Sequence, residues 1–517
     1  MLLPIQLNFL KFHPNTGRSL KTRCFIKYLF FCLISFSGKL SGQHFIVSPE
    51  SIDDPGFEHV KVLGQEEEGF YLLQSNLSLQ IQRDRVGFRN RKYKIGFFNA
   101  ALQQKWEKKL EEANDQRNID LVVMFNGRPI IITSEWKKSE NLITFYADVL
   151  NNKGNSFIKE KKIGTISYTK GSDLEKPRFV ISHNNLNAVI VVEEDRDKDQ
   201  VLHLMMLDSS LTMNMLYSPV INYPSKQFEV TNVVLSDAND FAAIAQGTEK
   251  NQNGQKGKTT KYKLFLKRSG ESFFDESTIS SGDKNITEAA LTADNINNKI
   301  VVAGFYNDNE SFAGTGILFV SWNLKNKTPM EIKSVSIDDN VRIKMIGERN
   351  SGANIGMYSY PIRKMILRSD GGAVVIAEAA YYSEYSYFDY FTQSFTRRTE
   401  YHYDNVIIMS IHTNGTIDWS GVLHKSQESM DDGGFLSSFC SILESDRIDL
   451  VYNNDISRNN EIENFSISNK GETEQKKVSR SSDHLTLIPH SGEQVDENTL
   501  IVAAIMKKKL YLLKLEF

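Results

Sequence analysis

Apolar residues along this chain gather in short runs, three to five long, set apart by turns built from Gly, Asn, Asp and Ser. A short apolar segment, a polar turn and a strongly β-branched segment recur eight times. The turns are read at Gly64-Gln65, Asn126-Gly127, Asn184-Asn185, Asp237-Ala238, Asp294-Asn295, Asp370-Gly371, Ser445-Asp446 and Ser491-Gly492. Runs such as Phe70-Tyr71-Leu72-Leu73, Val189-Ile190-Val191-Val192 and Val374-Val375-Ile376-Ala377 follow them. Gly, Asn and Asp supply the positive φ that tight hairpins need, so each pair of runs reads as a β-hairpin. No long stretch keeps the spacing of an amphipathic helix.

A second hairpin follows each of these. Its leading strands include Ile95-Gly96-Phe97-Phe98, Leu142-Ile143-Thr144-Phe145, Ile317-Leu318-Phe319-Val320 and Val406-Ile407-Ile408-Met409. Its turns, near Ala101, Gly154, Ser210, Gly270, Asn326, Gly415 and Gly471, lie 53 to 60 residues apart, with one gap of 89. A four-stranded meander repeated at this period is the signature of a propeller blade, and Ala-rich second strands suit the crowding near an axis. The expected fold is therefore all-β, a β-propeller of about eight four-stranded blades, with seven the alternative. The eighth unit supplies three strands, ending at Phe517, and His44-Phe45-Ile46-Val47 is free to complete it and close the ring. The structural rival is an outer-membrane barrel, because Tyr511, Leu513, Leu515 and Phe517 alternate at the chain end. Barrel strands alternate apolar outside with polar inside, whereas the second runs here are apolar on both faces and demand cover on both sides.

Composition adds location more than chemistry. The chain has 517 residues and a net charge of -3, with acids and bases mixed throughout, which gives no electrostatic reason to expect nucleic acid. Arg18, Lys21, Arg23 and Lys27 precede an apolar run from Tyr28 to Phe36 and then a small-residue stretch, Ser37 to Gln43. That order reads as a secretory signal over residues 1–43, whose apolar run is too short to span a bilayer core that needs roughly 20 apolar residues. Residues 44–517 are then one propeller domain, exported to the periplasm, cell surface or medium, not membrane-spanning and expected to be monomeric. Cys24 and Cys32 would leave with the signal. Cys440 alone remains, which excludes an internal disulfide, a thiolate zinc site and paired-cysteine redox work, and it reads as a small buried hydrophobe.

Residues 361–455 carry a set of motifs: Asp370-Gly371-Gly372 before an apolar strand, an aromatic hairpin ending Tyr401-His402-Tyr403-Asp404-Asn405-Val406, then Asn414-Gly415-Thr416-Ile417-Asp418-Trp419 and Asp431-Asp432-Gly433-Gly434-Phe435. This stretch resembles a family of uncharacterised exported propeller-like proteins of Bacteroidetes bacteria. The resemblance covers under a quarter of the chain. It implies location and fold, and brings no activity with it.

The departures from the repeat are the candidates for function. Insertions are read at 338–360 and 381–404, with a polar loop from Gly247 to Lys261 and an acidic one from Glu193 to Asp199. Residues 381–403 hold ten aromatics, interleaved with Arg397 and Arg398. Tyr presents a broad amphipathic face at low rotamer cost and Arg adds planar donors that stack, a surface suited to a protein or a sugar ring. The binding residues named from sequence are Tyr385, Tyr387, Tyr390, Phe391, Arg397 and Arg398, with Asp431-Asp432-Gly433-Gly434 expected beside them. The competing reading makes these rings cross-strand pairs that only stabilise a long hairpin. Asp195-Arg196-Asp197-Lys198-Asp199 has the alternate-Asp spacing of a calcium loop, but Gln200 replaces the turn glycine and Met206 the closing Glu. The ten His show no metal spacing, and no nucleophile elbow, phosphate loop or dinucleotide fingerprint occurs. No catalytic residue, metal or cofactor is assigned. The expected function is an exported binding or scaffold protein, the alternative a hydrolase with carboxylates lining a central channel.

Overall fold

A computed structural model describes residues 44–52, 59–66, 68–76, 92–110, 117–250, 258–271, 273–280, 282, 284–307, 314–326, 330–346, 360–389, 391, 393–456 and 460–517. The expected leader, residues 1–43, lies outside them.

The first unit shows how the sequence makes a blade. Strands His59–Glu66, Gly69–Ser75, Tyr93–Asn99 and Gln104–Leu110 pair antiparallel in that order. Every residue of Gly69–Ser75 is buried, so both faces of the sheet are covered. Alternation sends Phe70 and Leu72 to one side and Tyr71 and Leu73 to the other. The first pair packs with Ile488, Ile501 and Leu512 of the last sheet, the second with Ile119, Val122 and Ile131 of the next. Each such side chain contributes roughly 1.5–3 kcal/mol by leaving water.

The same construction repeats. Among the described residues the strands form eight separate sheets, six of four strands, one of five and one of six. Eight apolar clusters each join two consecutive sheets, and the one containing Ile52 and Phe70 joins the first sheet to the last. First strands of neighbouring sheets touch one another, as His59–Glu66 touches Leu485–Asp496 and Asn285–Asp294 touches Ile362–Leu367, which places them innermost. The chain is a β-propeller, with separate radial sheets in place of a barrel's continuous wall. His44–Val47 runs antiparallel to the last strand, Lys509–Glu516, with Phe45 opposite Leu515. Beyond it, Ser48 donates its N–H to the Leu512 carbonyl at 2.8 Å and Ile52 does the same to Leu510.

Several expectations need correction. Gly64 and Ser491-Gly492 are not turns. Both lie inside first strands, His59–Glu66 and Leu485–Asp496, at shifts of register, and the chain reverses only after Glu66 and Asp496. A glycine inside a strand marks a bulge as readily as a hairpin. Residues 381–404 are not a loop. Strands Ala373–Asp389 and Ser394–Ile411 continue through the aromatic segment. The polar loop expected from Gly247 to Lys261 is shortened by strands Phe241–Lys250 and Lys258–Lys267. The insertion at 338–360 contains a helix, Asp339–Ile346, and residues 347–359 lie outside the described set. No described helix is long and apolar enough to cross a membrane.

Candidate functional site

Ala373–Asp389 and Ser394–Ile411 begin as the second and third strands of the sixth sheet and then outrun it. The strand Ile362–Leu367 stops pairing at Ala377, while the hairpin continues for more than ten further residues. A register shift between Glu378 and Ala380 marks the point of departure. In the projecting part the Tyr381, Ser383, Tyr385 and Tyr387 side chains share one face with His402, Glu400, Arg398 and Thr396. Tyr382, Glu384, Ser386 and Phe388 share the other with Tyr401, Thr399, Arg397 and Phe395.

Both faces are open to solvent. Tyr382 is 67% exposed, Phe395 77% and Phe391, at the tip, 100%. Ring pairs nonetheless organise the surface. Tyr381 stacks on His402 at 4.6 Å, Tyr382 lies against Tyr401 and Phe388 meets Phe395 edge-on. Arg397 pairs with Glu384 across the strands. Arg398 reaches Asp431 at 2.5 Å and Tyr387 at 3.5 Å, while Tyr385 points its hydroxyl at the Met430 sulfur 3.9 Å away. The Thr399 N–H and then Arg398 hold the Asp431 carboxyl below its ordinary pKa. The structure thus gathers Tyr385, Tyr387 and Arg398 on one face, leaves Arg397 on the other, sets Phe391 at the tip, and brings the Asp431-Asp432 link alongside. Tyr390 lies outside the described residues.

A buried polar knot roots the hairpin. The Glu378 carboxylate accepts from Arg363 Nε at 2.9 Å and from Ser438 Oγ at 2.7 Å. Lys425, wholly buried, sits 2.9 Å from its other oxygen and donates to the Tyr403 carbonyl and to Gln427 Oε1. Burial pushes the Lys425 amine down from its ordinary pKa. Gln427 passes the connection to the Asn453 carbonyl in the seventh sheet.

A second site lies among the first strands, where sequence reasoning offered channel-lining carboxylates as its alternative and named no residue. In Leu485–Asp496 the register jumps from Ile488 opposite Ala503 to Glu493 opposite Ile501, so residues 489–492 bulge out. Ser491 Oγ closes the bulge by donating to the Ile488 carbonyl and accepting the Ala503 N–H, and the Cys440 thiol donates to the Pro489 carbonyl at 3.1 Å. A Cβ on Gly492 would stand 2.7 Å from the Cys440 sulfur, so only glycine fits without displacement. The bulge lines a cavity of about 540 Å³ shared by the first, sixth, seventh and eighth sheets, with Lys61, Lys364, Ser441, His490 and Glu493 in its wall. Lys364 donates to Ser441 Oγ at 3.1 Å. Protein surrounds these groups although solvent reaches them, and that desolvation shifts them. It raises the Glu493 carboxyl despite Lys61 and Lys364, lowers the Lys364 amine despite Glu493, and lowers His490, which Arg363 pushes the same way. On the first strand of the fifth sheet, burial lifts Glu288 to about 7. Among the described residues no three His, Cys, Asp or Glu side chains are placed to hold a metal ion.

No protein-family profile matches the chain, and no curated protein sequence does. Solved structures with which it aligns include the β-propeller domain of the Trilobed protease from Pyrococcus furiosus, at 8% identity over 83% of this chain and 98% of that one, TM-score 0.34. The Vanderwaltozyma polyspora Nup133 β-propeller domain aligns at 10% identity over 77% and 99%, TM-score 0.33. The polysaccharide lyase Uly1 aligns at 8% identity over 89% and 99%, TM-score 0.35.

Proposed function

We propose that this chain is an exported binding protein whose projecting hairpin holds an extended segment of a protein partner. The observation that carries the reading is a strand pair with rings exposed on both faces and an edge unpaired among the described residues. Among the described residues no strand pairs with the outer side of residues 380–388. An extended peptide adds to such an edge through main-chain hydrogen bonds, and pockets between alternate side chains give selectivity. The rings would clasp the added strand from above and below, while Arg397 and Arg398, on the neighbouring strand, brace the two faces through Glu384, Asp431 and Tyr387. A long apolar edge left uncovered is an aggregation liability, which a hairpin serving only the fold would avoid. Export follows from the basic and apolar leader, and N-terminal sequencing of secreted protein should begin near His44.

The test is selection of a displayed random-peptide library on the full mature chain, in parallel with a glycan array. Enriched peptides should bind the wild type and lose binding to Tyr387→Ser/Phe391→Ser/Phe395→Ser, whose melting temperature stays close to wild type. Absence of enrichment, equal binding to the triple variant, or capture of glycans alone at the hairpin would overturn the reading. Unfolding of the triple variant would show that the rings serve the blade.

A further inference from the structure

The axial cavity is independent of the hairpin and has the marks of a built site. Four residues bulge from one strand to shape its wall, and Ser491, Cys440 and Gly492 fix that bulge. Bulges recur where a side chain must be re-aimed beside a ligand. The polar groups come from first strands far apart in sequence, and the volume of about 540 Å³ falls within the roughly 300–1,000 Å³ of small-molecule sites.

We infer that this cavity binds a neutral, hydroxyl-rich ligand, a sugar of one or two rings, held by Lys364, Ser441, His490 and Glu493. The charge pattern selects the class. Lys61 and Lys364 share the wall with Glu493, Asp496 and Glu497, so a ligand bearing a single sign of charge meets both attraction and repulsion there. Glu493 and Lys364 stand solvent-exposed in that wall, and the protein around them raises the acid and lowers the amine despite their mutual attraction. A sugar hydroxyl both donates and accepts. A vicinal pair satisfies an amine and a carboxyl together without bringing charge into the cavity. Ser441, already accepting from Lys364 at 3.1 Å, keeps its own O–H to donate.

Isothermal titration and saturation-transfer NMR on the full mature chain provide the test. The probes are glucose, galactose, mannose, maltose, cellobiose and lactose, with glucuronate and glutamate as charged comparators. At least one neutral sugar should bind, and Lys364→Met and Glu493→Gln should each weaken it about tenfold or more, the loss of a charge-assisted hydrogen bond. Ser441→Ala, the smallest change, should weaken it less and serves where either other variant fails to fold. Tyr387→Ser/Phe391→Ser/Phe395→Ser should leave sugar binding unchanged, which separates this site from the hairpin. The inference is overturned if no neutral sugar binds, if glucuronate or glutamate binds more tightly, or if binding survives the cavity substitutions.

Discussion

Replacing Lys425 by Met tests whether the hairpin is rigidly rooted. Its amine lies wholly buried, in contact with Glu378 at 2.9 Å and hydrogen-bonded to the Tyr403 carbonyl and Gln427. Met fills the space of the aliphatic stem but leaves a buried carboxylate without one of the two cations that stand 2.9 Å from it, a loss of about 3–5 kcal/mol. Arg363 and Ser438 still hold one oxygen of Glu378, which places the expected cost toward the lower end. Cooperative unfolding of a chain of this length has an entropy of about 1 kcal/mol/K, so the melting temperature should fall by about 3–5 °C. Calorimetry measures this, and hydrogen exchange should quicken at the Ser438 amide, which donates to Gln427. Glu378→Gln removes the negative charge, and burial already favours a neutral lysine beside it. The double variant should then cost less than the two single changes together by about 1–3 kcal/mol. Additivity within about 0.5 kcal/mol would refute the coupling and leave the hairpin root held by packing alone.

Three further outcomes follow from the same geometry. Gly492→Ala should destabilise by about 1–3 kcal/mol through the clash with Cys440, and adding Cys440→Ala should recover most of it; an unchanged denaturation midpoint for the single variant would show that the bulge is slack. Deleting residues 44–48 removes the strand paired with Lys509–Glu516 and should lower the melting temperature and raise light scattering on heating; unchanged behaviour would show that the first and last sheets hold without it. Glu288 is raised from 4.5 to about 7, so the folded state holds its proton more tightly than the unfolded chain does. Its share of stability is full below pH 4.5 and is lost as pH rises toward 7, and Glu288→Gln should flatten that part of the stability profile.

The fold was legible because it is written in local pattern. Runs such as Val374-Val375-Ile376-Ala377 are apolar at every position, and only a strand covered on both faces accepts that. The turns at Asn126-Gly127, Asp370-Gly371 and Gly471 keep positive φ where the sequence expects it. Gly64 and Gly492 misled for the same reason. A glycine announces unusual backbone without saying whether the chain reverses or only bulges, and in both strands the long-range partner decided.

The two sites differ in how far sequence could reach them. The hairpin is one contiguous segment, so its rings and arginines were visible, and the pairing follows the competing reading of a long hairpin, in register from Ala380 opposite Tyr403 to Asp389 opposite Ser394. The cavity is assembled from Lys61, Lys364, Ser441, His490 and Glu493, residues that meet only when four blades converge. The local trace of that site is Pro489-His490-Ser491-Gly492, a proline and a glycine interrupting a first strand that runs from Leu485 to Asp496. Proline lacks the N–H a ladder needs, and glycine gives up the side chain a strand would pack, so the pair inside a strand signals a bulge. An innermost strand that bulges must push its extra residues into the axis, because its neighbours fill the space on either side. In the first strand of a propeller blade, such an interruption therefore points to the channel wall.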